Sequence, residues 1–131
     1  MDGAEFIAIE ATNAAEIWSF NAYDGYADAP PVVYDADGDG EDDRVCWITW
    51  RSNTGSRDGL AGCTNVESTP IERWRRTLES SSGTLNDEIA VSPPFWMDID
   101  GVGEPELMVP YGQSLHAFDG DDGTSAAVSL N

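Results

Sequence analysis

The segment APPVVYDADGDG, residues 29–40, recurs 63 positions later and without a gap as SPPFWMDIDGVG, residues 92–103. In both copies two prolines precede a short apolar run, and a loop rich in Asp and Gly follows. Self-similarity at a fixed spacing is the sequence signature of a repeat architecture, in which each copy forms one supersecondary unit. We therefore expect the chain to be built from repeated units.

A second pattern alternates with the first along the chain. Short runs at residues 6–10, 60–63 and 115–119 each lead to a later position that carries Trp in two of the three copies. These positions are Trp18, Trp74 and Ala127. The alternation of two patterns indicates that each unit contains several elements in a constant order.

Each complete unit is predicted to contain four short antiparallel strands. Apolar or alternating runs are separated by clusters of Gly, Asp, Asn and Ser, and no stretch shows a clear 3.6-residue period. The predicted strands are residues 5–10, 16–21, 31–34, 44–50, 60–64, 73–78, 95–97, 106–110, 114–118 and 126–130. The prediction is one all-β domain, residues 1–131, with a half unit at 4–21 and complete units at 30–78 and 92–130. The polar stretches 51–59 and 79–84 are expected to be connections.

The composition restricts the partners of this domain. Its formal net charge is −19, because 25 Asp and Glu residues face six Arg residues and no Lys. Nucleic-acid binding and docking on anionic lipid both need a basic face, so we expect neither. No apolar run approaches the length of about 20 residues that a membrane-spanning helix needs. Dense carboxylates without Lys favour a halophilic or marine source over an acidic surface that merely requires cations.

The most informative loop places carboxylates at alternate positions. Acidic side chains stand at loop positions 1, 3, 5 and 9, with Gly40 at position 6, where it permits a sharp turn. Such carboxylates converge on one point, which a hard cation makes favourable, and Ca²⁺ accepts six to eight oxygen ligands. The predicted Ca²⁺ ligands are the side chains of Asp35, Asp37, Asp39 and Asp43 and the backbone carbonyl of Glu41.

Three alternatives to this calcium site fit the sequence less well. An EF-hand would need a bidentate Glu at position 12, where this chain has Cys46, so that alternative fails. Mg²⁺ fits less well, because it resists dehydration in an all-protein cage. An ordinary acidic surface turn is the other alternative, although the spacing of carboxylates and glycines favours a metal.

The second copy of the loop is a weaker candidate. It retains Asp98, Asp100 and Glu106 but carries Val102 at the position of Asp39. Fewer charged ligands give weaker binding, so a metal-free structural turn is the favoured interpretation and a second cation site the alternative.

At this point the residues resemble two related repeat families. Residues 32–43 resemble the integrin-type FG-GAP repeat, whose calcium loop joins the first two strands of a β-propeller blade. Residues 8–18 are similar to the tryptophan-docking repeat of quinoprotein-like propellers, with the pattern Ala-x-Asp-x-x-Thr-Gly-Lys-x-x-Trp. Ala8 and Trp18 match that pattern, whereas Glu10, Asn13 and Ala14 depart from it. In the last copy Ala117, Asp119 and Gly123 match, and Ala127 replaces the tryptophan.

The resemblance implies a propeller order of strands, with the metal loop on the rim as a structural clip. It also implies an extracellular or cell-surface protein that takes part in adhesion or binds a protein or carbohydrate ligand. No signal peptide is visible at the start of the sequence, so any signal would lie outside it. The alternative is a fragment of a quinoprotein-like enzyme propeller, although no quinone site is recognisable.

Two and a half blades do not close a propeller of four to eight blades. We expect the chain to be a segment of a longer propeller. A homodimer that completes a five-bladed ring and an open β-sandwich are the alternatives.

Cys46 and Cys63 lie in neighbouring predicted strands, 17 positions apart. The extracellular resemblance favours a disulfide, which would stabilise the fold by roughly 3 kcal/mol. Two buried free thiols are the alternative. Trp47 and Trp50 have opposite parity in one predicted strand, so we expect one to face the core and the other to offer a contact surface.

Little in the sequence points to catalysis. His116, the single histidine, lies in a predicted strand without a nucleophile motif nearby, and we expect an ordinary strand-surface residue. The chain has no phosphate-binding loop, nucleophile elbow or zinc-helix motif. Metal ligation explains the Asp cluster more simply than a glycosidase carboxylate pair does. We therefore expect a binding module without catalytic residues.

Overall fold

A computed structural model describes residues 3–22, 26–27, 29–53, 56–66, 69–78, 92–112 and 114–126, without the side chains of residues 51–58. Within these ranges the chain forms nine strands in three antiparallel sheets and no helix. The prediction of an all-β fold is confirmed.

Each sheet is formed by consecutive strands. Sheet 1 contains β1 (Glu5–Ile9) and β2 (Glu16–Asn21). Sheet 2 contains β3 (Val32–Tyr34), β4 (Arg44–Asn53), β5 (Ser56–Asn65) and β6 (Ile71–Leu78), paired in that order. Sheet 3 contains β7 (Phe95–Met97), β8 (Glu106–Tyr111) and β9 (Ser114–Asp119). Local pairing of this kind requires only short connections.

Most predicted strands lie where the sequence pattern placed them, and β2 and β7 have the predicted bounds. The prediction that residues 51–59 form a connection is wrong, because β4 and β5 continue through this stretch as one long hairpin that pairs Asn53 with Ser56. Continued pairing supplies hydrogen-bond partners for backbone groups whatever the side chains are. The second polar stretch, 79–84, and residues 127–130 of the tenth predicted strand lie outside the described residues.

Sheet 2 is covered on both of its faces. Alternation along β4 directs Trp47 towards sheet 1, where it packs near Phe6 and Phe20. The neighbours Cys46 and Ile48 point the other way and pack against Leu107 and Val109 of sheet 3. The order of layers is therefore sheet 1, sheet 2, sheet 3, which is also their order in the chain.

This layering changes the interpretation of the two tryptophans on β4. They do face opposite sides of the sheet, as their parity predicts. Trp50, however, is partly buried against the core shared with sheet 3, and its ring centroid lies 4.9 Å from that of Tyr26. The expectation that one of the two tryptophans offers an open contact surface is wrong, because both faces of sheet 2 are covered.

Cys46 and Cys63 form a disulfide inside the core that faces sheet 3. They stand directly opposite each other on β4 and β5, and neither is accessible to solvent. The bridge therefore crosslinks the two central strands of sheet 2 at the layer where sheet 3 packs.

Sheets 2 and 3 also meet where Trp74 of β6 contacts the turn that follows β9. The indole Nε1 of Trp74 donates a hydrogen bond to the carbonyl of Gly120, 3.1 Å away. The backbone of Gly123 lies against the same ring, at a positive φ of 69°. A Cβ atom at Gly123 would lie 2.5 Å from Cδ2 of Trp74, so this contact requires glycine.

Gly123→Ala should therefore destabilise the fold more than Gly112→Ala does. Both glycines have positive φ, but a Cβ atom at Gly112 would have no neighbour within 4 Å. The shared cost of a left-handed alanine cancels, and the difference should be about 1–3 kcal/mol from overpacking against Trp74. Urea unfolding of the two variants measures this difference. Equal losses would show that Trp74 does not require a glycine at this turn.

Candidate metal centres

Two acidic loops occupy the same place in successive sheets. Residues 35–43 connect β3 to β4, and residues 98–105 connect β7 to β8. Each loop has two glycines at positive φ, with Gly38 at 79° and Gly40 at 94° matched by Gly101 at 72° and Gly103 at 79°. Left-handed backbone at these positions suits glycine and turns the chain so that the flanking carboxylates point inwards.

In the first loop the structure brings three of the predicted ligands together. Each of Asp35, Asp37 and Asp39 offers a carboxylate oxygen within 4.8 Å of the others. Backbone N–H groups orient these carboxylates: Gly38 and Gly40 donate to the two oxygens of Asp35, at 2.7 and 2.8 Å. Three carboxylates that converge in this way can hold a metal ion.

The two other predicted ligands of this loop are placed differently. Asp43 is not in the group of three, and its Oδ2 accepts hydrogen bonds from the backbone N–H groups of Ala36 and Asp37, at 2.8 and 3.2 Å. Asp43 thus stabilises the backbone at the start of the loop by these two hydrogen bonds. The backbone N–H of Glu41 donates to Asp39, at 2.8 Å, and the role of its carbonyl as a ligand stays a prediction.

The second loop also brings three carboxylates together. Oxygens of Asp98, Asp100 and Glu106 lie within 4.8 Å of one another. Glu106 is only 3% exposed, and its Oε2 accepts the N–H of Ile99, at 2.8 Å. Glu106 therefore accepts a hydrogen bond from a backbone N–H of its own loop, as Asp43 does in the first loop. Unlike Asp43, it also belongs to the carboxylate cluster. Each loop therefore has a cluster of three carboxylates. The number of acidic residues in the sequence had instead predicted weaker metal binding by the second loop.

A buried cation, Arg44, lies between the two loops, and sequence reasoning missed it. Arg44 directly follows the first loop and is 3% exposed. Its Nη1 donates to Glu104 in the second loop and to the Gly120 carbonyl, both at 2.7 Å. Burial, followed by the negative charge of Glu104, raises the pKa of the neighbouring Tyr34. One feature of the sequence could have indicated this role: Arg44 is one of only six cationic residues, and it stands at the start of an apolar strand.

His116 lies on β9 in a half-buried position. Burial lowers the pKa of His116, and its ring lies parallel to that of Phe118, with centroids 6.2 Å apart. It lines a cavity of about 150 Å³ with residues such as Leu115 and Ser125. A second cavity, of about 160 Å³, lies beside Phe20 and Trp47. Both are smaller than the roughly 300 Å³ at which small-molecule pockets begin.

Comparison with known proteins finds no matching family model, curated protein or solved structure. Among the described residues, no helix is long and apolar enough to cross a membrane. The interpretation of the two loops therefore depends on their own geometry.

Glu104→Gln should destabilise the fold in the presence of EDTA, because it removes the closer of the two carboxylates that pair with the buried guanidinium of Arg44, the other being Asp121, 3.9 Å away. Breaking a fully buried pair costs about 3–5 kcal/mol, and because Glu104 is 31% exposed we expect about 2 kcal/mol. Glu41→Gln is the matched control, since Glu41 has the equivalent loop position and is exposed. Urea unfolding compares them, and equal stabilities would contradict a structural role for the ion pair.

Proposed function

We propose that this chain is a Ca²⁺-binding repeat module of the β-propeller type, in which Ca²⁺ has a structural role. The observation that carries the proposal is the recurrence of one loop design in two successive sheets. In both loops three carboxylates converge, paired glycines have left-handed backbone, and backbone N–H groups orient the oxygens.

The charge balance explains why a cation would stabilise these loops. Two unit charges at about 5 Å repel by nearly 1 kcal/mol in bulk water and by several times more near a protein surface. The first loop holds three carboxylates at this separation, within a chain of net charge −19. A bound divalent cation replaces the repulsion by attraction, and Ca²⁺ suits an all-oxygen site in a flexible loop better than Mg²⁺ does.

The bound ion would act as a clip between strands. Each loop joins the first two strands of its sheet, so a cation there stabilises the turn from which the sheet continues. Binding to the folded state alone stabilises it by about 2.7 kcal/mol when the free cation is at 100 times its dissociation constant.

The propeller interpretation is supported by the order of the sheets. Sheet 2 has four strands in sequence order, and Trp74 on its last strand, β6, packs on the turn that follows β9 of sheet 3. Successive sheets stacked in this way are what the FG-GAP and tryptophan-docking resemblance leads us to expect. We therefore propose an extracellular or cell-surface module, from a salt-rich environment, that binds a protein or carbohydrate ligand within a larger assembly.

Ca²⁺ in the millimolar range should raise the melting temperature above its value in EDTA. Asp39→Asn should reduce this rise, because it removes one charge from the cluster while its amide oxygen can still accept the Glu41 N–H. Asp42→Asn is the matched control, since Asp42 is an exposed neighbour outside the cluster. Asp39→Asn combined with Asp100→Asn should abolish the rise. Differential scanning calorimetry measures all four proteins.

Equal concentrations of Mg²⁺ separate site binding from general screening of the acidic surface, and should give a smaller shift. Isothermal titration should count two Ca²⁺ ions in the unmodified chain and one in Asp39→Asn. An unchanged melting temperature in EDTA and in Ca²⁺ would reduce both loops to acidic turns.

A further inference from the structure

His116 has a buried ring nitrogen without a hydrogen-bond partner. It lies on β9, where its Nε2 atom is shielded from solvent and makes no hydrogen bond within the part of the chain that the structure describes. Its ring lies parallel to that of Phe118, two positions further along the strand. The imidazole is therefore fixed by packing on an aromatic ring rather than by a polar contact at Nε2.

The cavity of about 150 Å³ beside His116 gives Nε2 no polar partner. Apart from Ser125, the described residues that line this cavity with His116 have apolar side chains, namely Leu115, Ala117, Phe118 and Ala126. The hydroxyl of Ser125 does not hydrogen-bond to Nε2. A neutral imidazole tolerates these surroundings, because its one proton can occupy Nδ1 while Nε2 carries no hydrogen.

Protonation would change the requirement at Nε2. Both nitrogens of an imidazolium carry a hydrogen, so the buried Nε2 of His116 would become a charged donor without an acceptor. Such a donor loses the hydration that the same group has in water, and nothing replaces it. Burial accordingly lowers the pKa of His116 from its usual value of 6.5. The packed state therefore favours the neutral ring, whereas a state that exposes Nε2 to water accepts the charged one.

Among the described residues, the elements packed around β9 direct no carboxylate at this imidazole. On β8 the residue directly opposite is Val109, and the titratable residue on the same face is Tyr111. The carboxylates of the two strands, Glu106 and Asp119, stand opposite each other on the other face. Residues 124–126 include no ionisable side chain. The charged side chains of sheet 2 that reach the turn after β9 are cations, namely Arg44, Arg73 and Arg76.

The chain returns over β9 after the turn at residues 120–123. Ser125 forms an isolated bridge with Phe118, and the N–H of Ala126 donates to the carbonyl of Ala117, 2.9 Å away. Phe118 also packs on Trp74 of sheet 2, with ring centroids 5.7 Å apart. His116 therefore adjoins both the returning segment, residues 124–126, and the ring that contacts sheet 2.

We propose that His116 is an acid-sensitive release point, whose protonation detaches residues 124–126 from β9 and loosens the contact of sheet 3 with sheet 2. The neutral ring fits the packed state, and the charged ring fits an opened state in which water reaches Nε2. The stability of the packed state is complete above about 6.5, the pKa of an exposed ring, and is lost as the pH falls towards the lower pKa of the packed ring. Carboxylates titrate at about pH 4, so they respond later. This inference rests neither on bound Ca²⁺ nor on the proposed function.

The pKa of His116 can be measured directly, because it is the single histidine of the chain. Proton NMR follows the C2–H signal of its ring in EDTA, first in the folded protein and then in the urea-unfolded chain. We expect a lower pKa in the folded protein. A folded-state pKa equal to or above that of the unfolded chain would overturn the proposal, because the packed state would then not disfavour the charged ring.

Hydrogen exchange, corrected for the intrinsic effect of pH, tests whether protonation releases residues 124–126. Protection of the Ala126 amide should fall severalfold between about pH 7.5 and about pH 5.5 in the unmodified chain. His116→Phe keeps an aromatic ring beside Phe118 and removes the titrating group, so protection should stay constant. Thr77→His in the His116→Phe chain is the matched control, because it restores a histidine at an exposed position of β6.

The matched control should behave like His116→Phe, with protection that does not depend on pH. An equal fall of protection in the unmodified chain and in His116→Phe would show that other groups respond to acid, and would overturn the proposal. A return of the pH dependence with Thr77→His would overturn it as well, because a histidine outside the cavity would then have the same effect. The NMR titration uses the unmodified chain, so it decides the matter even if a variant does not fold.

Discussion

Burial of both faces of sheet 2 is the constraint on which the rest of the described structure depends. A sheet that is apolar on both sides is stable in water only between two other layers. Trp47 faces sheet 1, whereas Cys46 and Ile48 face sheet 3. Side chains that alternate along the single strand β4 therefore pack against both outer sheets. The disulfide between Cys46 and Cys63 keeps that strand paired to β5 at the layer where sheet 3 packs.

The distribution of cations reinforces this arrangement. The chain has six Arg residues, and three of them direct their guanidinium groups to the turn after β9. Arg44 donates to the carbonyl of Gly120, Arg73 pairs with Asp121, and Arg76 donates to the carbonyl of Gly123. Carbonyl oxygens and carboxylates at this turn thus receive cationic donors from sheet 2 beside the ring of Trp74. In a chain of net charge −19, these three Arg side chains bring positive charge to the contact between sheets 2 and 3.

The two acidic loops and this interface form one region of the molecule. Arg44 follows the first loop in the chain and contacts Glu104 of the second, so an ion pair between a buried guanidinium and a partly exposed carboxylate joins the ends of β3, β4, β7 and β8. The carboxylates that are free of Arg44 converge separately in each loop. The proposed Ca²⁺ ions would therefore balance negative charge on the loops while Arg44 balances it between them.

The sequence by itself determined the repeat, the all-β class and the position of most strands, because turn residues and alternating apolar runs are local properties. It also located the acidic loops, since Asp35, Asp37 and Asp39 are close along the chain and their convergence needs only a tight turn. It failed where the outcome depends on distant residues. The length of the β4–β5 hairpin was underestimated, because cross-strand pairing overrides the polar composition of residues 51–59.

Only the tertiary structure decided which surfaces are covered and which carboxylates are joined. The alternation of side chains along β4 predicted that Trp47 and Trp50 face opposite sides of sheet 2. That another sheet covers each side became clear only from the packing of the three layers. The sequence had already named Glu106 with Asp98 and Asp100, but only the packed loops show that Glu106 lies in its cluster whereas Asp43 lies outside the cluster of the first loop. The partnership of Arg44 with Glu104, 60 positions apart, arises because two sheets pack face to face, and no local pattern in the sequence encodes that contact.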